Sequence, residues 1–212
     1  MDLYFSPLAC SMATRISLYE AGAEAGFIQV DLKAKRLLDD GTDFFGVNPI
    51  GQVPVLRTDE GELLAENPAV LQYVADRLPA AGLAPAEGMA RYRLQQWLNF
   101  ITTELHKAVY IPLLDKQAPD GAKEFARAKA PARFAHLARH LDGREFVLDR
   151  FTVADAYLVT VLNWSSSTGV DLAQWPVVQA YYRRMLARPS VAKALAEERA
   201  LYAAEQARHK AA

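Results

Sequence analysis

A chain of 212 residues, 51% hydrophobic and 23% charged, fits one large or two small domains of an ordinary soluble globular protein. No apolar run approaches membrane-spanning length, Met1-Asp2-Leu3-Tyr4 lacks a signal peptide's basic region, and one cysteine, Cys10, excludes an internal disulfide framework or a thiolate zinc site, so a reducing cytoplasm is the expected setting. The net charge of −1 divides into −6 over residues 1–80 and +5 over the rest, so the halves attract within a chain or head-to-tail between chains; without a dense basic cluster interleaved with aromatics, nucleic acid is not an expected partner.

Leu3-Tyr4-Phe5 is a short β-prone run ended by Ser6-Pro7. The segment from Cys10 to Ala21 sets Met12, Ile16 and Tyr19 on one face and stops at Gly22, a helix with Cys10 at its N-terminal end. Phe27 to Leu32 reads as a second strand, completing a βαβ unit with a parallel pair. A polar segment from Lys33 to Asp43 then leads to Asn48-Pro49-Ile50-Gly51-Gln52-Val53-Pro54-Val55-Leu56. Pro49 and Pro54 keep Asn48 and Val53 out of helical backbone, Gly51 suits a turn, and a third strand runs from Val53 to Arg57. This stretch is either an ordinary turn before a buried strand or an extended main chain at Gln52 and Val53 whose unpaired groups receive a short peptide. A turn at Asp59-Glu60-Gly61, a fourth strand from Glu62 to Ala65 and a helix capped by Asn67 with Pro68 at its first position complete a βαβ-ββα order. The fold class is therefore α+β, with a mixed four-stranded sheet in a domain spanning 1–79.

A Pro/Gly-rich linker from Pro79 to Gly88 separates this domain from an all-α one spanning 88–212. Leu94, Leu98, Ile101, Leu105 and Ala108 form a helical stripe, and Phe125 to Leu141 a further amphipathic helix. Thr152-Val153-Ala154-Asp155 carries a capping pattern and opens a helix apolar nearly all round, the expected centre of the second domain. Helices follow from Trp175-Pro176 and from Pro189, the last ending as a surface helix fraying into a loose tail.

Five groups of residues have the types that chemistry needs. Cys10 at a helix N-terminus sits where unpaired N–H groups and the dipole favour thiolate, although a lone cysteine is also an ordinary buried apolar residue. Asn99 and His106, seven residues apart on one helix, are expected on one face with Thr102 and Thr103 between them, a polar stripe the length of an extended tripeptide; a structural histidine is the plainer reading. Glu66 precedes a helix N-terminus, which either is simply capped or holds a ligand's amino and carboxylate ends. Lys35 is by default a solvated charge. His136 and His140 have metal-ligand spacing but no third ligand, so no metal is expected.

Taken together, Ser6-Pro7-Leu8-Ala9-Cys10-Ser11, Asn48 to Pro54, Trp97-Leu98-Asn99-Phe100-Ile101, Glu104-Leu105-His106-Lys107 and Phe151 to Tyr157 resemble a cytosolic glutathione transferase, most of all the bacterial beta class. The resemblance implies a thioredoxin-like N-terminal domain that binds glutathione, an all-helical domain contributing an apolar electrophile pocket between the domains, and a homodimer serving detoxification. It further implies that Gln52 and Val53 pair with the tripeptide beside a cis Pro54. Glu66 and Asn67 would hold its γ-glutamyl end and Lys35 its glycyl carboxylate, with Asn99 reaching across from the neighbouring subunit. Cys10, supported by Ser11 and His106, would lie close to the sulfur. Thr152 and Asp155 match the family's capping box, a folding element. Asn67 stands where the family often has serine, and Ile50 where lysine is common. The expected reaction is attack of the glutathione thiolate on a hydrophobic electrophile. The alternatives are disulfide or peroxide reduction through a Cys10 mixed disulfide, and non-catalytic binding of ligands or partners.

Overall fold

The computed structural model describes residues 1–211, divided into one compact unit of residues 1–83 with 189–211 and another of Ala84–Arg188. In the first, β1 (Asp2–Phe5) lies parallel to β2 (Gly26–Asp31), and α1 (Met12–Glu20) makes the crossover that a parallel pair requires. Next come β3 (Arg36–Leu37), β4 (Val55–Arg57) and β5 (Leu63–Ala65), followed by α2 (Asn67–Arg77). The strands form a mixed five-stranded sheet in the order β3-β2-β1-β4-β5, with β4 antiparallel to β1 so that Tyr4 faces Val55. The four-stranded expectation is thereby corrected. β3 lies inside the segment read as polar, and two residues at a sheet edge carry no period a sequence reading can detect.

Alternation along β1 divides the core. Leu3 and Phe5 join Leu18, Leu56, Val70 and Val74 on the face covered by α1 and α2, while Tyr4 joins Val30, Phe44, Val53 and Val55 on the other. Val53 itself lies outside β4, which starts two residues later than the sequence suggests.

In the second unit α3 (Gly88–Phe100) passes without a break into a π-helical stretch, Ile101–Tyr110, and then into α4 (Ile111–Leu114). The Ile111 N–H donates to the His106 carbonyl, five residues back. Leu94, Leu98, Ile101 and Leu105 are buried as expected, but the stripe then continues through Val109 and Tyr110 instead of Ala108, because each residue of the wider helix turns through a smaller angle. The unit is completed by α5 (Asp120–Leu141), α6 (Val153–Leu162), α7 (Ser165–Thr168) and α8 (Pro176–Leu186).

Every residue of α6 is buried, as its composition requires. Its start carries a complete capping box. The Ala154 N–H donates to Thr152 Oγ1 at 3.3 Å and the Thr152 N–H to Asp155 Oδ2 at 2.9 Å. The Val147 N–H and the Tyr181 hydroxyl fill Asp155 Oδ1 at 2.8 and 2.9 Å. Burial lifts the Asp155 carboxyl to about 6, against these hydrogen bonds, which favour its ionised form.

The last helix, α9 (Pro189–Ala211), was placed in the 88–212 domain with its end from Glu197 on the surface; it groups instead with the sheet and packs on α1. Arg15 on α1 pairs with Glu198 at 2.9 Å and Glu197 at 3.3 Å, Gln29 Nε2 donates to Glu205 at 3.2 Å, and His209 meets Asp31 at 2.9 Å. These partners explain why a charged, alanine-rich segment stays ordered; the expected loose end at Ala212 lies outside the described residues.

Candidate functional site

The turn after β1 carries Cys10. Ser11, at the N-cap of α1, is completely buried, and its hydroxyl accepts from the Ser6 N–H at 3.4 Å and donates to the Ser6 carbonyl at 3.3 Å. Ser11, expected to support the sulfur, is engaged with Ser6 and closes the loop on itself. Cys10 is half-buried, and its thiol donates to the Val53 carbonyl at 3.3 Å. The fold thus brings together the two stretches that the sequence singled out, 43 positions apart.

Asn48 shapes the second stretch. Its side-chain Nδ2 donates to the Gln52 carbonyl at 2.8 Å, its Oδ1 accepts from the Ile50 N–H at 3.1 Å, and its own carbonyl accepts from the Gly51 N–H at 2.7 Å. Gly51 takes φ +65°, which favours glycine, and a Cβ there would stand 2.8 Å from Phe45 Cε1 and push that exposed ring aside. The Val53–Pro54 peptide bond is cis. The strip is less open than expected, since the carbonyls of Gln52 and Val53 have partners; the Val53 N–H has no acceptor among the described residues. Lys35 leans across the turn and donates from Nζ to the Gly51 carbonyl at 2.8 Å.

At the start of α2, Glu66 occupies the N-cap position, exposed and without a side-chain cap. Asn67, read as the cap, is instead the first helical residue. Its amide is buried, with neither Nδ2 nor Oδ1 hydrogen-bonded, an arrangement that costs on the order of 1–3 kcal/mol per group until a partner arrives. Among the described residues the non-glycine positions with positive φ are Leu8 at 61°, Lys35 at 56° and Glu66 at 67°. Each belongs to, or lies beside, one of these segments, and strained backbone gathers at binding sites.

The helical unit holds the other two candidates. Asn99 is exposed and donates from Nδ2 to the Gln95 carbonyl at 2.9 Å, whereas His106 is 5% exposed. The common face drawn for them is corrected, because the π-helical stretch begins between them. His106 Nδ1 and the Tyr157 hydroxyl are 2.6 Å apart, and the ring packs on Trp164 with centroids 4.9 Å apart. Burial, helped by the Lys107 charge, holds the imidazole down to about 3, so it is neutral near pH 7. His136 and His140 pack against Trp97, and His140 Nε2 meets the Val147 carbonyl at 2.7 Å. Sequence reasoning missed Tyr157, which no local pattern links to His106, and gave Asn48 only a turn, although an asparagine two residues before a free N–H in a Pro/Gly stretch is a recognisable side-chain turn.

Comparison with known proteins places the chain in a family. Residues 2–76 match the family model "Glutathione S-transferase, N-terminal domain" and residues 100–189 match "Glutathione S-transferase, C-terminal domain". The chain is 41% identical to glutathione S-transferase GstA of Escherichia coli O157:H7, over 93% of this chain and 98% of that protein. It is 34% identical to glutathione S-transferase GST-4.5 of Xanthomonas campestris, over 93% and 98%. Among solved structures, a ternary complex of BphK, a bacterial GST, superposes with a TM-score of 0.90 at 45% identity, covering 93% of this chain and 99% of that one. A sphingomonad glutathione S-transferase complexed with glutathione gives 0.88 at 44%, covering 93% and 98%.

Proposed function

Because this chain belongs to the glutathione S-transferase family, we propose that its sheet-bearing unit docks glutathione on the Val53 main chain and that the bound thiolate attacks hydrophobic electrophiles. The observation that carries this reading is the Val53 backbone, fixed beside cis Pro54, whose N–H has no acceptor among the described residues and whose carbonyl accepts from the Cys10 thiol. A cysteinyl residue laid antiparallel would accept from that N–H and donate to that carbonyl, as an added strand does. Displacing the weak S–H donor leaves Cys10 beside the incoming sulfur.

The remaining contacts follow from charge. Lys35 takes the glycyl carboxylate. The Glu66 carboxylate takes the γ-glutamyl ammonium, and Asn67 at the positive end of α2 takes its carboxylate, relieving the unpaired amide. In the helical unit His106 has its Nδ1 2.6 Å from the Tyr157 hydroxyl and is uncharged near pH 7, so it serves as a neutral hydrogen-bonding group. Asn99, exposed, serves the tripeptide of the neighbouring subunit in a homodimer. Ser11 acts at one remove, by holding the Cys10 loop. In the reaction the thiol proton leaves to solvent, a carbon–sulfur bond forms, and the leaving group departs with its electron pair; holding both reactants together supplies the proximity advantage.

A glutathione isotherm with a chloronitroaromatic rate assay tests this. Saturable binding with turnover is expected; no binding and no turnover would leave a ligand-binding or partner-binding role. The half-buried, accessible Cys10 thiol favours a second reading, reduction of disulfides or peroxides through a glutathione mixed disulfide. Cys10→Ala separates the two: transfer survives under the first, and reduction vanishes under the second.

A further inference from the structure

A cavity of about 820 Å³ lies in the helical unit and is lined by none of the residues assigned to glutathione. Its walls come from α3, the end of α5 and the loop that runs on to α6, with Pro85 ahead of α3. Trp97, Val147 and Thr152, 6%, 0% and 1% exposed, form the floor, while Arg93, Arg144 and Arg150 stand exposed around it. Asp149 is the one carboxylate of the lining. Among the described residues no ion pair engages any of the three guanidinium groups; Arg93 donates from Nη1 to Gln96 Oε1 at 2.7 Å.

The loop that carries Arg144 and Arg150 is held by its backbone. Val147 is tied on both sides: its N–H donates to Asp155 Oδ1 at 2.8 Å, and its carbonyl accepts from His140 Nε2 at 2.7 Å. Arg184 Nη2 donates to the carbonyls of Arg144 and Glu145 at 3.2 and 2.7 Å, and the Thr152 N–H donates to Asp155 Oδ2 at 2.9 Å. Little backbone ordering is therefore left for a ligand to bring about. The volume lies within the roughly 300–1,000 Å³ of small-molecule pockets.

Three guanidinium groups against one carboxylate leave a charge of +2 at the rim. That is the counterpart of a phosphate monoester dianion, which guanidinium forks grip with paired hydrogen bonds. The floor is aromatic, with the Trp97 and His140 ring centroids 3.9 Å apart, and suits a flat ring. We propose that this cavity is a binding site for an aromatic phosphate monoester, its ring on the Trp97 floor and its phosphate among Arg93, Arg144 and Arg150. A carboxylate would neutralise only half of the rim charge, and a sugar phosphate would leave the floor uncovered. The site stands independently of the glutathione reading.

1-Naphthyl phosphate, with 1-naphthol and inorganic phosphate as its two halves, tests this on the full chain by calorimetry and NMR. The ester should saturate one site per chain, and each half should bind at least about tenfold more weakly. Of the three indole N–H signals, that of Trp97 should move while those of Trp164 and Trp175 stay. Arg144→Gln combined with Arg150→Gln, both at exposed positions, should weaken binding about tenfold or more, whereas Arg139→Gln, exposed on α5 outside the cavity, should stay within about twofold. Saturating S-methylglutathione should leave the affinity unchanged. Any one of five results overturns the proposal: no saturation, a half that binds as tightly as the ester, equal losses in the two Arg variants, a silent Trp97 signal, or competition from S-methylglutathione.

Discussion

His106 and the two buried carboxylates pull stability in opposite directions with pH. The folded imidazole stays neutral down to about 3, while the unfolded chain takes up a proton below the ordinary 6.5, so His106 lowers stability as pH falls through that window. Asp155, raised to about 6, and Glu198, raised to about 7, hold protons in the folded state that the unfolded chain has released; burial is the leading cause for both. Their stability is present at low pH and is lost as pH rises through these values. Replacing His106 with Gln should therefore narrow the stability gap to wild type by about 2 kcal/mol between pH 6.5 and about 5, read from urea midpoints. A gap independent of pH means the imidazole takes up its proton alike in the folded and unfolded chain. At this scale the sequence identified residue types well and orientations poorly. Cys10 stands at the Val53 carbonyl, Lys35 at the Gly51 carbonyl and Glu66 at the start of α2, whereas Ser11 turns inward and Asn67 starts the helix it was expected to cap. Side-chain direction follows from neighbours that local spacing does not name.

The elements that position the site differ in how much of their geometry local sequence encodes. The start of α6 was legible because Thr152 and Asp155 satisfy each other within one turn. Thr152→Ala should cost about 1 kcal/mol. Asp155→Ala should cost about 3 kcal/mol or more, since it strands the Val147 and Thr152 N–H groups and the Tyr181 hydroxyl together; turnover per folded molecule should not change. The turn at Gly51 was legible for the same reason, and Gly51→Ala should lose about 1 kcal/mol while pushing Phe45 and Lys35 aside, weakening glutathione binding more than it lowers the melting point. The π-helical stretch was not legible, because residues 101–110 carry ordinary helical composition and only packing selects the wider turn. That widening buries His106 and leaves Asn99 exposed. β3 was missed because strand signals need several alternating residues.

For the molecule as a whole, the apolar runs and breaks of the first eighty positions were enough to order the βαβ-ββα elements, but the place of α9 depends on ion pairs such as Arg15–Glu198 that span nearly the whole chain. Residues 189–212 carry four basic and three acidic side chains, so moving α9 to the sheet leaves that unit at −5 and the helical one at +4. A homodimer that sets unlike units together should weaken on going from low salt to about 1 M, where the screening length shrinks to about 3 Å; sedimentation at both salts checks it, and a salt-independent dimer points to apolar contacts. The central claim is that a tripeptide pairs with the Val53 main chain. Amide hydrogen exchange at Val53, with and without saturating glutathione, tests it most directly. The account predicts that the Val53 N–H, which has no acceptor among the described residues, slows at least about tenfold on binding, as a new backbone hydrogen bond requires; glutathione that binds and leaves Val53 exchange unchanged would contradict it.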